Sequence, residues 1–208
     1  MDYSNIDYDS TFDIIGLPEN YINKYENLRI QNNIKAAFLC LFHAIKAFPS
    51  NYEISSKLFN FLYEFKEYKD LIKFSSFVLV NIQNQVRIQQ CYGNIGIGNY
   101  FLNNYKEALE NFEKAKGSSG ICTEMPITYY QAICYEKYGK YEKALELLTE
   151  LYNNYSNTIM EVDELNRNSR GFETHSHCIK NETMTMITEA MNRVRTLLNR
   201  DVVYEITI

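Results

Sequence analysis

The sequence contains no tryptophan, only three prolines and eight glycines among 208 residues. Because proline and glycine mark the turns between short strands, their scarcity argues against a fold built from many hairpins. No stretch approaches the roughly 20 consecutive apolar residues that a membrane-spanning helix requires. Apolar residues instead recur with a period near 3.6 over long stretches, which predicts an all-α fold.

The chain also lacks an excess of positive charge. It has 21 Lys and Arg against 26 Asp and Glu, a formal net charge of −5. This balance gives no general attraction to nucleic-acid phosphates or anionic lipids, so we expect neither nucleic acid nor a membrane as partner. The beginning of the chain, MDYSNIDYDSTFD, is acidic where a secretory signal would be basic and then apolar. We therefore expect a cytoplasmic protein.

The cysteines are odd in number and lack CxxC spacing, which favours reduced thiols in a reducing compartment. They are Cys40, Cys91, Cys122, Cys134 and Cys178.

One stretch of the chain is repeated. NNYKEALENFEKAK, residues 103–116, aligns with GKYEKALELLTELY, residues 139–152. The two agree at a tyrosine, an alanine and a large apolar residue: Tyr105, Ala108 and Phe112 in the first, Tyr141, Ala144 and Leu148 in the second. Weaker copies begin near Ile34 and Tyr68, so the period is 34, 37 and then 36 residues. A period in this range predicts an α-solenoid.

A second helical pattern precedes each copy, and a short polar turn, Asn103-Asn104 or Gly139-Lys140, separates the two patterns. In this order and spacing the chain resembles the tetratricopeptide repeat family over residues 20–156, with repeats at about 20–51, 52–87, 88–120 and 124–156. It departs from the family where Phe59 and Leu71 replace small residues and where Gln131 replaces an apolar one.

The remaining segments are predicted as an acidic amino-terminal arm (1–19), a polar connector (157–180), and a capping helix with a carboxyl-terminal tail (181–208). An apolar stripe predicts the capping helix: Met184, Ile187, Met191, Val194 and Leu198. The last residues, VVYEITI, alternate like a β-strand but have no local partner.

The family resemblance implies a concave groove, lined by the first helix of each repeat, that holds a peptide or helix of another protein. The positions that match its inward-facing residues are Glu26, Arg29, Lys57, Asn60, Tyr63, Asn94, Ile97, Tyr100, Tyr129, Ile133 and Glu136. Family members that grip acidic chaperone tails use a Lys and an Asn where this chain has Ile22 and Glu26. We therefore do not expect a tail-clamping co-chaperone.

Motifs that could carry chemistry are weak. GNIGIG, residues 93–98, has the wrong order for a dinucleotide or P-loop site, and Gly96 occupies the small position of its repeat. THSHC, residues 174–178, lacks the second ligand pair that zinc usually needs. His43 lies within an apolar helical stretch. We expect no enzyme activity, no cofactor and no metal.

The leading prediction is a non-enzymatic scaffold or adaptor that binds another protein. Three alternatives stay open: a peptide- or ligand-responsive regulator, the recognition module of a larger enzyme, and a chaperone for a secreted protein. The sequence leaves the partner and the oligomeric state undecided.

Overall fold

The computed structural model describes residues 16–115, 127–168 and 176–206. Within these ranges the chain forms helices and no strand, so the all-α prediction is confirmed. The helices are α1 (Pro18–Ile30), α2 (Ile34–Ala47), α3 (Tyr52–Glu64), α4 (Tyr68–Leu79), α5 (Gln85–Phe101), α6 (Tyr105–Lys114), α7 (Ile127–Lys137), α8 (Tyr141–Asn168) and α9 (Ser176–Ile206). None of these helices is long and apolar enough to cross a membrane.

The chain divides into two compact units, residues 1–123 (unit 1) and 124–208 (unit 2). In unit 1 each helix from α1 to α6 packs against the next one along the chain. The pairs α1–α2, α3–α4 and α5–α6 are therefore three stacked helix-turn-helix repeats. Unit 2 holds the fourth pair, α7–α8, followed by α9.

The turn inside each repeat has the same backbone geometry. One residue per turn has a positive φ: Asn32 (54°), Lys66 (58°), Asn103 (62°) and Gly139 (69°). The N–H of the residue after it donates to the carbonyl five positions earlier, at 2.8–2.9 Å in all four turns. This bond satisfies a carbonyl that the end of the first helix would leave without a partner. The turns predicted at Asn103-Asn104 and Gly139-Lys140 are confirmed.

Small residues let the two helices of a repeat approach each other. Ala108 and Ala144 are fully buried, as are Phe112 and Leu148 four residues later. Gly96 of α5 faces Phe112 of α6, and a Cβ built on Gly96 would lie 2.5 Å from the ring carbon Cδ1. The glycine is therefore needed for close packing, in agreement with its predicted small position.

Asparagine side chains begin several helices. Asn33, Asn51 and Asn84 precede α2, α3 and α5, and each side-chain oxygen accepts a bond from the backbone N–H three residues later, at 3.3, 3.0 and 3.1 Å. Each cap satisfies one of the free amides of a helix's first turn.

The predicted capping helix is confirmed. In α9 the side chains of Ile187, Ala190, Met191 and Val194 are buried, and α9 packs on α8 and α7. The neighbouring positions Thr188, Asn192 and Arg195 are exposed, so the surface of α9 turned away from the core is polar. The helix thereby ends the apolar core of unit 2.

Two helix bounds differ from the sequence-based segments. Helix α8 continues to Asn168 and α9 begins at Ser176, so both enter the stretch predicted as a connector, 157–180. The role of VVYEITI was left open by the sequence; its described part, up to Ile206, continues α9, and residues 207–208 lie outside the described residues. Extending an existing helix adds one hydrogen bond per ordered residue, which overrides the β-propensity of a short end segment. Most of the predicted acidic arm lies outside the described residues.

Candidate partner-binding face

The predicted groove residues fall on both units. In unit 1 the tight turns make α1 antiparallel to α2 and α2 antiparallel to α3, so the first helices α1 and α3 run parallel, with α5 continuing the series. We call the surface formed by α1, α3 and α5 the first-helix face. It carries Glu26, Arg29, Lys57, Asn60, Tyr63, Asn94, Ile97 and Tyr100, whereas α7 in unit 2 carries Tyr129, Ile133 and Glu136.

Two ion pairs join α1 to α3 on this face. The Lys57 ammonium donates to the Glu26 carboxylate and lies 3.8 Å from that of Glu53. Arg29 donates to both carboxylate oxygens of Glu64, at 2.8 and 2.9 Å. Because these charges are already paired, a ligand gains little from the α1–α3 part of the face through charge alone.

The Arg29 guanidinium makes cation–π contacts with two aromatic rings. Its central carbon lies 5.6 Å from the ring centre of Phe61 and 5.5 Å from that of Phe65. The hydrogen bond to Glu64 raises the pKa of Arg29, since it favours the charged form. The arginine therefore connects the two helices through both a carboxylate and a pair of rings.

Five aromatic rings form a continuous cluster between the second and third repeats. Tyr68 stacks on Phe101 with ring centres 4.5 Å apart and planes inclined by 6°. Tyr63 contacts both of these rings, at 6.4 Å and 5.8 Å. Tyr100 contacts Phe101 at 5.0 Å and Tyr105 at 6.1 Å. All five side chains are half-buried, so the cluster, which we call the aromatic platform, combines fixed rings with accessible surface.

The other unit 1 candidates differ in exposure. Asn60 of α3 is exposed and lies one turn before Tyr63. Asn94 and Ile97 of α5 are fully buried, so their side chains contribute to the core and do not reach the surface. The accessible part of the face therefore comes from α1, α3 and the carboxyl-terminal end of α5.

In unit 2 the helix α9 covers part of α7. Arg193 of α9 donates to both carboxylate oxygens of Glu136, at 2.7 and 2.8 Å. Ile133 and Glu136 are buried, whereas Tyr129 is half-buried. Burial raises the pKa of Tyr129, and the neighbouring Arg193 acts in the opposite direction. Two of the three α7 candidates, Tyr129 and Glu136, thus interact with the chain's own capping helix.

The repeat register explains which residues meet. Arg29, Tyr63, Tyr100 and Glu136 each lie three residues before the positive-φ residue of their turn, so they are equivalent positions. Arg29 contacts Glu64 and Tyr63 contacts Phe101, and each partner lies one residue after the equivalent position in the next repeat. Sequence analysis missed the ion pairs, although opposite charges about one repeat apart were a usable signal.

The described residues offer little for catalysis or metal binding. No group of three or more His, Cys, Asp or Glu that could hold a metal ion occurs among them. Burial raises the pKa of Cys40 and Cys91 to about 11 and that of Cys134 to about 12, which keeps these thiols protonated. His43 is half-buried and its ring packs on Phe42 at 5.7 Å.

No family model matches the chain, and no curated protein matches it. The solved structures of similar fold include three of MamA. A crystal structure of MamA protein has a TM-score of 0.53 at 14% identity, covering 90% of this chain and 95% of its own. A second crystal structure of MamA has a TM-score of 0.50 at 14% identity, covering 86% and 97%. MamA from residue 41 to the end, from Desulfovibrio magneticus RS-1, has a TM-score of 0.51 at 14% identity, covering 88% and 96%. At this identity the similarity is one of fold alone.

Proposed function

We propose that this protein is a non-enzymatic scaffold or adaptor whose first-helix face binds an extended peptide or a helix of another protein. The observation that carries the proposal is the aromatic platform. Tyr63 and Tyr100 occupy equivalent positions in consecutive repeats, and both are half-buried with their rings in contact with Phe101.

Fixed aromatic side chains suit protein recognition. A tyrosine ring provides a large contact area, and its hydroxyl provides a hydrogen bond, at a small cost in side-chain entropy. Here the ring contacts have already limited the rotation of Tyr63 and Tyr100, so binding a partner orders little more of the protein. The exposed amide of Asn60, one turn from Tyr63, can both donate and accept bonds with a peptide backbone.

The surrounding charges favour a partner recognised mainly through apolar and neutral polar contacts. Glu26 and Lys57 neutralise each other, as do Arg29 and Glu64. A highly charged ligand would have to compete with these internal pairs. The buried, unpaired cysteines Cys40, Cys91 and Cys134 suit a reducing compartment, and we place the scaffold in the cytoplasm.

The test is affinity capture from the native cell extract with the wild type and a Tyr63→Ala/Tyr100→Ala variant. A captured protein is identified by mass spectrometry, and its binding segment is then measured directly with both purified chains. Losing two interfacial tyrosines is expected to weaken binding by about 2–4 kcal/mol in total, or roughly 30-fold or more.

The matched control is Tyr92→Ala. Tyr92 is also half-buried on α5, but its ring lies beside Lys114 of α6 and outside the aromatic platform. A partner retained by wild type and control and lost by the double variant supports the proposal. A partner bound equally by all three chains contradicts it, provided that circular dichroism shows them equally helical.

A further inference from the structure

Unit 1 has an exposed apolar patch at the end where its first helices begin. Tyr52 begins α3, Phe77 and Val80 lie at the end of α4, and Val86 lies in the first turn of α5. All four side chains are exposed, with exposed fractions of 38–81%. Exposed apolar side chains that gather at one place are typical of contact surfaces.

A shallow slot lies beside this patch, between α3, α4 and α5. Its lining is mixed, with apolar and aromatic side chains together with hydroxyl, amide and guanidinium groups. The residues are Tyr52, Ser55, Ser56, Phe59, Val78, Arg87, Gln90 and Cys91. Such a mixture suits a ligand that presents both an apolar and a polar group.

Arg87 is the charged group of the slot. Its guanidinium donates to the Ser50 carbonyl and, at 3.1 Å, to the Ser55 hydroxyl, while lying 5.5 Å from the ring centre of Tyr52. These two bonds use two of its five N–H donors. In the part of the chain that the structure describes, no carboxylate lies within ion-pair distance of it.

The surroundings of Arg87 differ from those of Arg29 and Arg193. Arg29 and Arg193 each donate two bonds to a glutamate. Arg87 is half-buried, oriented by neutral oxygens and an aromatic ring, and retains donors for a carboxylate. A charge-assisted bond to a carboxylate is roughly twice as strong as a neutral one, so an acidic ligand matches this site.

An acidic segment of this same chain starts within reach. Since α1 and α3 run parallel and pack together, α1 begins at the same end of unit 1 as Tyr52. Residues 1–15 join the described chain at Gly16, and packed helix axes are about 8–10 Å apart. A stretch of this length spans up to about 50 Å when extended. It can therefore cross from α1 to the slot.

The composition of residues 1–15 complements the slot. They include four aspartates, no lysine and no arginine, and also apolar residues: Asp2, Asp7, Asp9 and Asp13, with Ile6, Phe12, Ile14 and Ile15. We propose that this segment docks intramolecularly, with an aspartate carboxylate on the Arg87 guanidinium and its apolar side chains on Tyr52, Val80 and Val86. This docking goes beyond the proposed function, because the slot is separate from the aromatic platform.

The test measures amide hydrogen exchange over residues 1–15 in the full chain, by millisecond quench-flow and mass spectrometry. We compare the wild type, Arg87→Gln, and Asp7→Asn/Asp9→Asn/Asp13→Asn, each corrected for the intrinsic rates of its sequence. One charge-assisted contact with apolar support predicts protection of about tenfold in the wild type. Both variants are expected to lose most of it. The aspartate variant leaves α3 and α5 unchanged, so its result does not depend on whether Arg87→Gln folds normally.

The control is Lys69→Gln, which removes an exposed cation near the start of α4, at the opposite end of unit 1. It should retain wild-type protection. Exchange of the wild-type segment at the rate of a free peptide would overturn the proposal. So would protection that survives both variants, or protection that rises with protein concentration, since the latter would indicate contact with another copy.

Discussion

Glu136 of α7 and Arg193 of α9 form a two-point ion pair across 57 residues of chain, with N–O distances of 2.7 and 2.8 Å. The two sides are unequal, because 7% of the Glu136 side chain is exposed but 49% of the Arg193 side chain is. The buried carboxylate therefore depends on the arginine for its neutralisation. This pair fixes the capping helix to the fourth repeat.

Replacing Arg193 with alanine should destabilise unit 2, because the buried Glu136 carboxylate would lose the two hydrogen bonds that Arg193 donates to it. We expect a loss of about 2 kcal/mol in the free energy of unfolding, below the figure for fully buried pairs because Arg193 is half-exposed. Chemical denaturation measures the loss. Arg195→Ala, on the exposed side of α9, serves as the control and should change stability by less than about 0.5 kcal/mol. Equal effects of the two variants would contradict the role given to this ion pair.

Replacing Lys66 with glycine should stabilise unit 1. Lys66 has a φ of 58°, a left-handed conformation that costs an L-residue about 1 kcal/mol and costs glycine very little. Glycine also gives the unfolded chain more conformational entropy, and this offsets part of the benefit. We therefore expect the free energy of unfolding to rise by about 0.5 kcal/mol. Thermal unfolding measures it. In the exposed interior of α4, Lys73→Gly should instead lose about 1 kcal/mol, and a loss of that size at Lys66 would refute the turn geometry.

Replacing Gly96 with alanine should destabilise the third repeat, although alanine is normally preferred in a helix. The added methyl group would lie 2.5 Å from the Phe112 ring, which forces the two helices apart. Overpacking of this kind costs about 1–3 kcal/mol. The double variant Gly96→Ala/Phe112→Leu should recover part of the loss. If Gly96→Ala proves as stable as the wild type, the close approach of α5 and α6 is wrong.

Three cysteines should resist alkylation in the folded protein at pH 8. Burial raises the pKa of Cys40 and Cys91 to about 11 and that of Cys134 to about 12, so the reactive thiolate is scarce and shielded. Above pH 9 the unfolded chain loses these protons first, so stability should fall as the pH rises toward these folded-state pKa values. Iodoacetamide labelling with peptide mapping tests the first expectation, and denaturation at pH 8 and pH 10 tests the second. Rapid native labelling of all three would contradict their burial.

The fold could be predicted from the sequence because each repeat places the same types of residue at the same positions. Ala108 and Ala144 mark the helix contact, and Asn103 and Gly139 mark the turn, at matching intervals. The regular spacing of apolar residues along α9 likewise predicted the capping helix. The sequence left the end of α9 undecided, because alternation over seven residues is a weak signal when a stable helix already leads into it.

The binding face was less predictable. The sequence analysis expected Asn94 and Ile97 on the surface, but both are buried. Which side of α5 faces the core depends on how the helix is rotated, and glycines that permit unusually close packing determine that rotation. The contact of Arg29 with Glu64 joins two repeats, and that of Glu136 with Arg193 joins the fourth repeat to the capping helix. The geometry of both contacts follows from how the helices stack and not from local sequence. No signal in the sequence indicated a role for Arg87. Its role depends on the absence of a nearby carboxylate among the described residues, which only the structure shows.

The most direct test of the scaffold account is site-specific photo-crosslinking inside cells that contain the protein. A benzophenone amino acid replaces exposed Asn60 on the first-helix face or, for comparison, exposed Lys73 on α4. The account predicts a discrete crosslinked protein from position 60, absent from position 73 and lost when Tyr63 and Tyr100 are also changed to alanine. Crosslinks from position 73 alone, or equal products from both positions, would contradict binding at the first-helix face.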